Sequence, residues 1–315
     1  MMSFEEFTEK VKELVNGILG AEYHSELKCI SKNNGTLVTG LTAGKESGCV
    51  QPIVYMESYY QAYLAADGEE DIEKIAEEIS RYYIDDGGEE LKQTMLRNVN
   101  DMFDYEAIQD RIIFQLVHAE RNREQLQDTM WIPFYDLAVT FCLYIKEDED
   151  GIMSLKVSRE MGQMWNVSIK EIFEKARENM ERLFPACIVP MNELLRGLIE
   201  ECPMKAEEEP VPFYVLTNKK GTMGATTLLY QSVLNQFAET VGSDFYIIPS
   251  SVDELILLPN IEGMDAETLN EMVRQVNQEV VSEEKQLSDH VYHYIKGTKE
   301  IISIEGVSAS GLLSD

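Results

Sequence analysis

Lys219 and Lys220 stand together inside 217-TNKKGTMGATT-227, and this is the stretch whose residue types most invite chemistry. An apolar run, 213-FYVLT, precedes it. Leu228, Leu229, Val233, Leu234, Phe237 and Val241 follow at helical spacing, so the segment reads as strand, turn and a helix beginning at Ala225. The first turn of a helix presents unbonded N–H groups and a positive partial charge, which suit an anion. The candidate ligand-binding set is therefore Lys219, Lys220, Gly221, Thr222, Gly224 and Ala225, for a small anion or a nucleotide. The pattern departs from both phosphate-binding fingerprints: no Gly-Lys-Ser/Thr closes it, and it is not GxGxxG. The plainer reading is a strand-to-helix turn whose glycines supply positive φ and whose lysines sit in water.

Other reactive residues are scattered. Ser250 and Ser251 sit beside Asp253 and Glu254, but no GxSxG surrounds them and no histidine is near in sequence. Asp136 is the one acid inside the apolar run 134-FYDLAVTFCLYI-145, read as a single strand. It is either a catalytic carboxylate or a strand-edge acid satisfied by a neighbouring backbone N–H. His290 and His293 would face opposite sides of a strand, and His24 and His118 are isolated. The five cysteines include no CxxC pair and read as buried thiols. The turn 147-EDEDG-151 has the acid density of a calcium loop without the carboxylate that would close one, and reads as a solvated hairpin turn. From these residues no catalytic set, no metal site and no cofactor is expected, because the apolar periods go into a core and leave no converging reactive groups.

The elements that must position these residues follow from periodicity and punctuation. Residues 3–19 read as an amphipathic helix with Phe4, Phe7, Val11, Leu14, Val15 and Ile18 on one stripe, opened by a Ser3/Glu6 capping box. Two alternating runs around Asn33-Asn34-Gly35 predict a hairpin, and 53-IVYME a third strand. Tyr59, Tyr60, Tyr63 and Leu64 lie at helical spacing and read as core. A helix over 69–84 ends at Asp85-Asp86-Gly87-Gly88, with another over 89–98. The run 112-IIFQLVH fits a buried strand or a helix from Tyr105 equally well. Ser168 and Glu171 open a helix that Pro185 stops, and a further helix spans 191–200. Three strands are read at 213–217, 244–248 and 255–259, the second parallel to the first if a right-handed crossover joins them. A helix over 265–282 turns Leu269, Met272, Val273, Val276 and Val280 inward, and a hairpin forms around Gly297. The fold class is α+β: an N-terminal helix plus small antiparallel sheet, then a C-terminal mixed sheet flanked by helices. The division is residues 1–125 and 126–315, with an acidic connector at 206–210 inside the second part.

Composition bounds the function. The 315 residues carry 57 acids against 27 Lys+Arg, a formal charge of −30, and the acids are spread rather than gathered into a tail. Such a surface repels nucleic acid and anionic lipid. No apolar run reaches the length of a membrane span, and the acidic start is unlike a signal peptide, so a cytoplasmic protein is expected. Fifteen methionines and fifteen tyrosines suit a binding surface or a core.

The pieces 53-IVYMESYYQAY, 133-PFYDLAVTF, 176-ARENMERLFP, 215-VLTNKKGTMGATTLLY and 242-GSDFYIIPSSVDELILLP, in that order, resemble an uncharacterised domain-of-unknown-function family common in anaerobic Gram-positive gut bacteria. The resemblance spans nearly the whole chain and implies a fold without a chemistry. Three functions stay open: a non-enzymatic binding protein with a protein partner, an anionic-ligand or nucleotide-binding domain using 217–227, and an acidic nucleic-acid mimic.

Overall fold

The computed structural model describes residues 2–45, 53–66, 71–84, 101–148, 151–198, 213–260 and 266–303. The chain forms two compact units, Met1–Met102 and Phe103–Asp315. The division expected at 125/126 falls inside the second unit, because the strand Ile112–His118 pairs along its whole length with Leu137–Leu143. The helix expected at 89–98, the Asp85–Gly88 stop of the helix before it, the connector at 206–210, Cys49 and Cys202 lie outside the described residues.

In the first unit, α1 (Phe4–Leu19) opens with the expected reciprocal cap between Ser3 and Glu6. It buries Phe7, Val11, Val15 and Leu19, while Ile18, in the last turn, is exposed although it shares their face. β1 (His24–Ser31) and β2 (Leu37–Gly44) form the expected hairpin. Asn34 and Gly35 take φ of 59° and 75°, the left-handed geometry that an Asn-Gly step reaches with little strain. β3 (Ile53–Tyr55) pairs with β2. α2 (Met56–Ala65) and α3 (Ile72–Ile84) complete a core with Leu41, Met56, Tyr63, Ile75, Ala76 and Ile79. The tyrosines are core, as their spacing predicts: Tyr63 is buried and packs at 5.2 Å on Phe7. Tyr83 donates to the carbonyl of Leu41 at 2.5 Å, tying α3 to the sheet.

The second unit holds two sheets. In the first, after the short helix α4 (Tyr105–Ile108), β4 (Ile112–His118) is a buried strand, which settles the ambiguity of 112–118. The run 134–145 is not one strand. β5 (Trp131–Phe134) turns at Tyr135-Asp136 into β6 (Leu137–Asp148), with Phe134 opposite Leu137. β7 (Gly151–Lys156) pairs with the far half of β6. α5 (Arg159–Trp165) and α6 (Ile169–Leu183) follow, each opened by a serine, Ser158 and Ser168. α6 lies on β4 through Phe173, 5.8 Å from Phe114, and through buried Asn179, whose Nδ2 donates to the carbonyls of Gln109 and Ile112.

The second sheet contains β8 (Ala186–Pro190), β9 (Tyr214–Asn218), β10 (Phe245–Pro249), β11 (Leu255–Pro259), β12 (Tyr292–Ile295) and β13 (Glu300–Ser303), in the order β13-β12-β10-β11-β9-β8. Flanking helices are α7 (Met191–Leu198), α8 (Gln231–Val241) and α9 (Ala266–Glu279). β9 and β10 run in the same direction, as the crossover reading requires. β11 inserts between them, however, so every described pairing is antiparallel and the mixed sheet becomes a split β-α-β arrangement. The architecture is α+β. Among the described residues no helix is long and apolar enough to cross a membrane.

Candidate functional site

The structure keeps the expected ligand-binding residues in one turn but uses their binding capacity internally. Asn218 ends β9 buried; its Oδ1 accepts from the Lys220 N–H at 2.9 Å and its Nδ2 donates to the Thr222 carbonyl at 2.8 Å. Gly221 has φ 68° and Met223 φ 56°. Gly224–Leu229 is a buried 3₁₀ stretch and the α-helix starts only at Gln231, so Ala225 opens no helix N-terminus. The N–H of Ala225 donates to the Val252 carbonyl at 3.2 Å, and that of Gly221 to the Asn218 carbonyl at 3.1 Å. The N–H of Met223 donates to Asp253 Oδ1 at 2.8 Å, so the protein's own carboxylate stands where an anion was expected. Asp253 Oδ2 also accepts from Lys285 at 2.6 Å. Lys220 is ion-paired with Glu147 and lies 4.9 Å over the Phe184 ring. Lys219 is exposed, with its N–H on the Pro185 carbonyl. Gly224 is glycine for a different reason from Gly221: a Cβ there would collide with Thr217 Oγ1 and with the Asp253 carbonyl.

Ionisable groups do converge elsewhere, which corrects the expectation that none would. Their centre is Asp136, in the two-residue turn between β5 and β6. Tyr135 occupies the left-handed region at φ 53°, which is costly for a bulky residue. What holds it is visible: its hydroxyl donates to the Ile301 carbonyl, and its ring packs 5.6 Å from that of Tyr292. The turn thereby aims Asp136 at the second sheet. Asp136 Oδ2 accepts from Ser288 Oγ at 2.6 Å and Oδ1 from the Tyr292 hydroxyl at 2.5 Å. Side-chain hydroxyls, rather than a neighbouring strand's N–H, satisfy this acid. His118 Nε2 lies 4.0 Å from Asp136 Oδ2, and both side chains are 14% exposed.

Further charges surround this group. Arg121 forks onto Gln286 Oε1 and Asp289 Oδ2, each at 2.6 Å, and its N–H donates to His118 Nδ1 at 3.3 Å. Asn277 donates to Asp289 Oδ1 at 2.8 Å. Burial pushes the His118 pKa down, against the pull of Asp136, so the ring is held neutral. Burial and the Asp136 carboxylate drive the Tyr292 hydroxyl well above its ordinary range. Burial opposes ionisation of Asp289, but Asn277 and Arg121 outweigh it and its pKa falls.

Serine, histidine and aspartate together suggest acyl transfer, and accessibility decides against that order of events. Ser288 is 0% exposed and its hydroxyl donates to the acid, not to the imidazole. A nucleophile must meet its substrate and hand its proton to a base. The group is a polar latch between the two sheets. His118, Arg121, Ser288, Asp289 and Tyr292 escaped sequence reasoning because up to 168 residues separate partners. The only signal was an acid in an apolar run.

The remaining expected centres stay separate. His293 stacks on Tyr246 at 4.7 Å. Ser250 Oγ donates to Glu254 at 3.1 Å, and Ser251 Oγ accepts from the Asp253 N–H, an ordinary serine turn. Among the described residues no three His, Cys, Asp or Glu side chains could hold a metal. Cys142 is buried, which raises its pKa to about 11 and keeps it a thiol.

One face departs from its expected burial. Leu269 and Val273 of α9 point into the core beside Leu258 and Val291. Met272, Val276 and Val280, expected inward, are 54%, 46% and 77% exposed. Their spacing of four sets them in one row. Beside it runs a second exposed row, Glu271, Gln275 and Glu279. Helical apolar positions outnumber those the sheet can cover, and the surplus lies in water.

A family model described as "Family of unknown function (DUF5688)" matches residues 4–296. Comparison with curated proteins and with solved structures found no match.

Proposed function

The chain belongs to this family of unknown function, and from that premise we propose that it is a non-catalytic interaction protein whose docking face is the outer side of α9. The observation that carries this is the exposed row Met272, Val276 and Val280 beside Glu271 and Glu279. An apolar strip rimmed by charge is the anatomy of a recognition surface. Here the rim and the whole chain are acidic, at −30, so the complementary partner is a basic segment with apolar anchors at helical spacing. Acidic steering would speed its encounter, and burial of the apolar row would supply the affinity.

The reading is tested with a fluorescein-labelled amphipathic Leu/Lys helical peptide and its Leu/Glu counterpart, by anisotropy. The Leu/Lys peptide is expected to bind, more weakly as salt rises, and the Leu/Glu peptide not to bind. Both Met272 and Val276 are solvent-facing, so a Met272→Asp/Val276→Asp variant stays folded and adds negative charge. Affinity lower by at least about tenfold, about 1.4 kcal/mol, supports the apolar row as the contact. Equal or tighter binding by the variant would mean that charge alone attracts the peptide, and the docking face would be lost.

A further inference from the structure

A cavity of about 810 Å³ opens between the start of β5, the strand that leads into the Asp136 turn, and the α5–α6 junction; it shares no lining residue with the latch or with α9. Its lining includes Trp131, Arg159, Gln163, Asn166 and Val167. The volume lies within the range of small-molecule sites, which join apolar walls to a few converging polar groups. Three features set its chemistry.

The first is Arg159. In a chain where acids outnumber Lys and Arg by 57 to 27, this guanidinium pairs with no carboxylate among the described residues. Its Nε and one Nη donate to the carbonyls of Thr129 and Leu126 at 3.3 and 3.4 Å. These long bonds to neutral acceptors tether the fork, while the residue itself is exposed and meets no carboxylate among the described residues. The second is Trp131, half-buried at the head of β5, which offers an indole to a flat ligand. The third is the pair of exposed amides, Gln163 and Asn166, whose side chains make no hydrogen bond to other described residues. Asn166 is held in the left-handed region at φ 52° as the cap of α5, so its position is fixed by the backbone. Gly162 permits the close approach on which this wall depends, because a Cβ there would collide with Met130 Sδ.

The N-terminus of α6 also borders the cavity, but it is not the anion's seat. Ser168 and Glu171 cap it reciprocally, and that carboxylate already answers the helix charge. The anion's partner is Arg159.

We propose that this cavity is a binding site for a small planar carboxylate, the acid group on Arg159 and the ring against Trp131, with Gln163 and Asn166 reading polar substituents. The guanidinium fork matches a carboxylate in two parallel hydrogen bonds, which a lysine cannot do. The site is independent of the α9 docking face and of the turn at 217–227.

Trp131 and Trp165 are the only two tryptophans, so intrinsic fluorescence reports on this neighbourhood. Four probes separate charge from ring: nicotinate, nicotinamide, cyclohexanecarboxylate and acetate. Nicotinate is expected to quench saturably, with the other three at least about tenfold weaker. Trp131→Phe removes the quenching, because Trp165 is buried. Arg159→Gln lowers nicotinate affinity at least about tenfold, and Arg159→Lys falls between. Since Arg159 also holds two carbonyls, Gln163→Glu serves as a second variant. It leaves those bonds intact, places a like charge on an exposed wall, and is expected to weaken nicotinate to a similar degree. No saturable quenching, equal affinity for nicotinate and nicotinamide, or affinity unchanged in both Arg159→Gln and Gln163→Glu would each overturn the proposal.

Discussion

Replacing Asp136 with alanine removes the acceptor of two hydroxyls that have no access to water, Ser288 Oγ and the Tyr292 hydroxyl. Hydrogen bonds to a charged group contribute about 1.5–3 kcal/mol each, and a buried donor left without an acceptor bears its full desolvation cost. The two donors differ. Ser288 Oγ lies 3.3 Å from the His290 carbonyl and can turn to it, so its loss sits at the low end. Tyr292 is wholly buried beside the turn, and the other side chain hydrogen-bonded to its hydroxyl is Ser288, which loses the same acceptor. Removing the acid also ends the cost of holding a charge at 14% exposure, which offsets part of the loss. The expected net effect of Asp136→Ala is about 3 kcal/mol, a large fraction of an ordinary domain's stability. Asp136→Asn keeps one acceptor oxygen and should lose about half as much. Tyr292→Phe should cost about 1.5 kcal/mol and make the subsequent Asp136→Ala change smaller by a similar amount, because the same bond is lost in both. The assay is urea unfolding followed by tryptophan fluorescence. Both tryptophans lie in the second unit, so the signal belongs to the unit under test. A loss under about 1 kcal/mol for Asp136→Ala, or strict additivity of the pair, would refute the latch.

Gly224→Ala places a methyl against a backbone carbonyl that cannot rotate away, so a destabilisation of about 2–3 kcal/mol is expected in the same unfolding assay, with Gly242→Ala, where space is open, losing less. Burial holds the folded pKa of His118 below its ordinary value, so the stability that His118 contributes is complete above about pH 6.5 and falls as acid protonates the unfolded chain first; His118→Gln should flatten the midpoint between pH 7.5 and 5.0. That window stays above the carboxylate range, where Asp289, with its lowered pKa, would begin to contribute. In the first unit, Tyr83→Phe loses the bond to the Leu41 carbonyl and about 1 kcal/mol. We propose that the two units unfold separately, so this change should shift the circular-dichroism melt while leaving the tryptophan transition in place; movement of both would show one cooperative body.

Local signals were legible wherever one segment settles its own geometry. Ser3/Glu6 and Ser168/Glu171 close as reciprocal caps because three residues fix both partners. Asn34-Gly35 makes its hairpin because only such residues take its φ values without much strain. The failures share a cause as well. The strand Ala186–Pro190 was missed because two prolines bracket a run too short to show a period. The run from Phe134 to Ile145 read as one strand because Tyr135-Asp136 carries none of the glycine or asparagine that marks a two-residue turn. That turn is tolerated only through the Tyr135 contact with Ile301 and the Asp136 contacts with Ser288 and Tyr292, all on the other sheet or the loop leading into it.

The same reasoning separates the turn at 217–227 from the cavity at Arg159. In the turn the residue types were right and the outcome differed, because spacing cannot reveal that Asp253, 30 residues from Met223, supplies an internal carboxylate. A cation or N–H group marks a binding site only after the protein's own acceptors have been counted. In so acidic a chain a cation often finds one, as Lys220 finds Glu147 and Lys285 finds Asp253. Arg159 finds no carboxylate among the described residues, and unlike the exposed Lys219 it stands on the wall of a cavity. The same logic applies to α9, with burial in place of charge. An apolar period predicts which residues could be covered, and the sheet decides which ones are. Val273 meets Leu258 and Val291, whereas Val276, three residues on, meets solvent. What such a chain does is carried by groups left over when folding is complete, and those become identifiable only once every internal partner has been assigned.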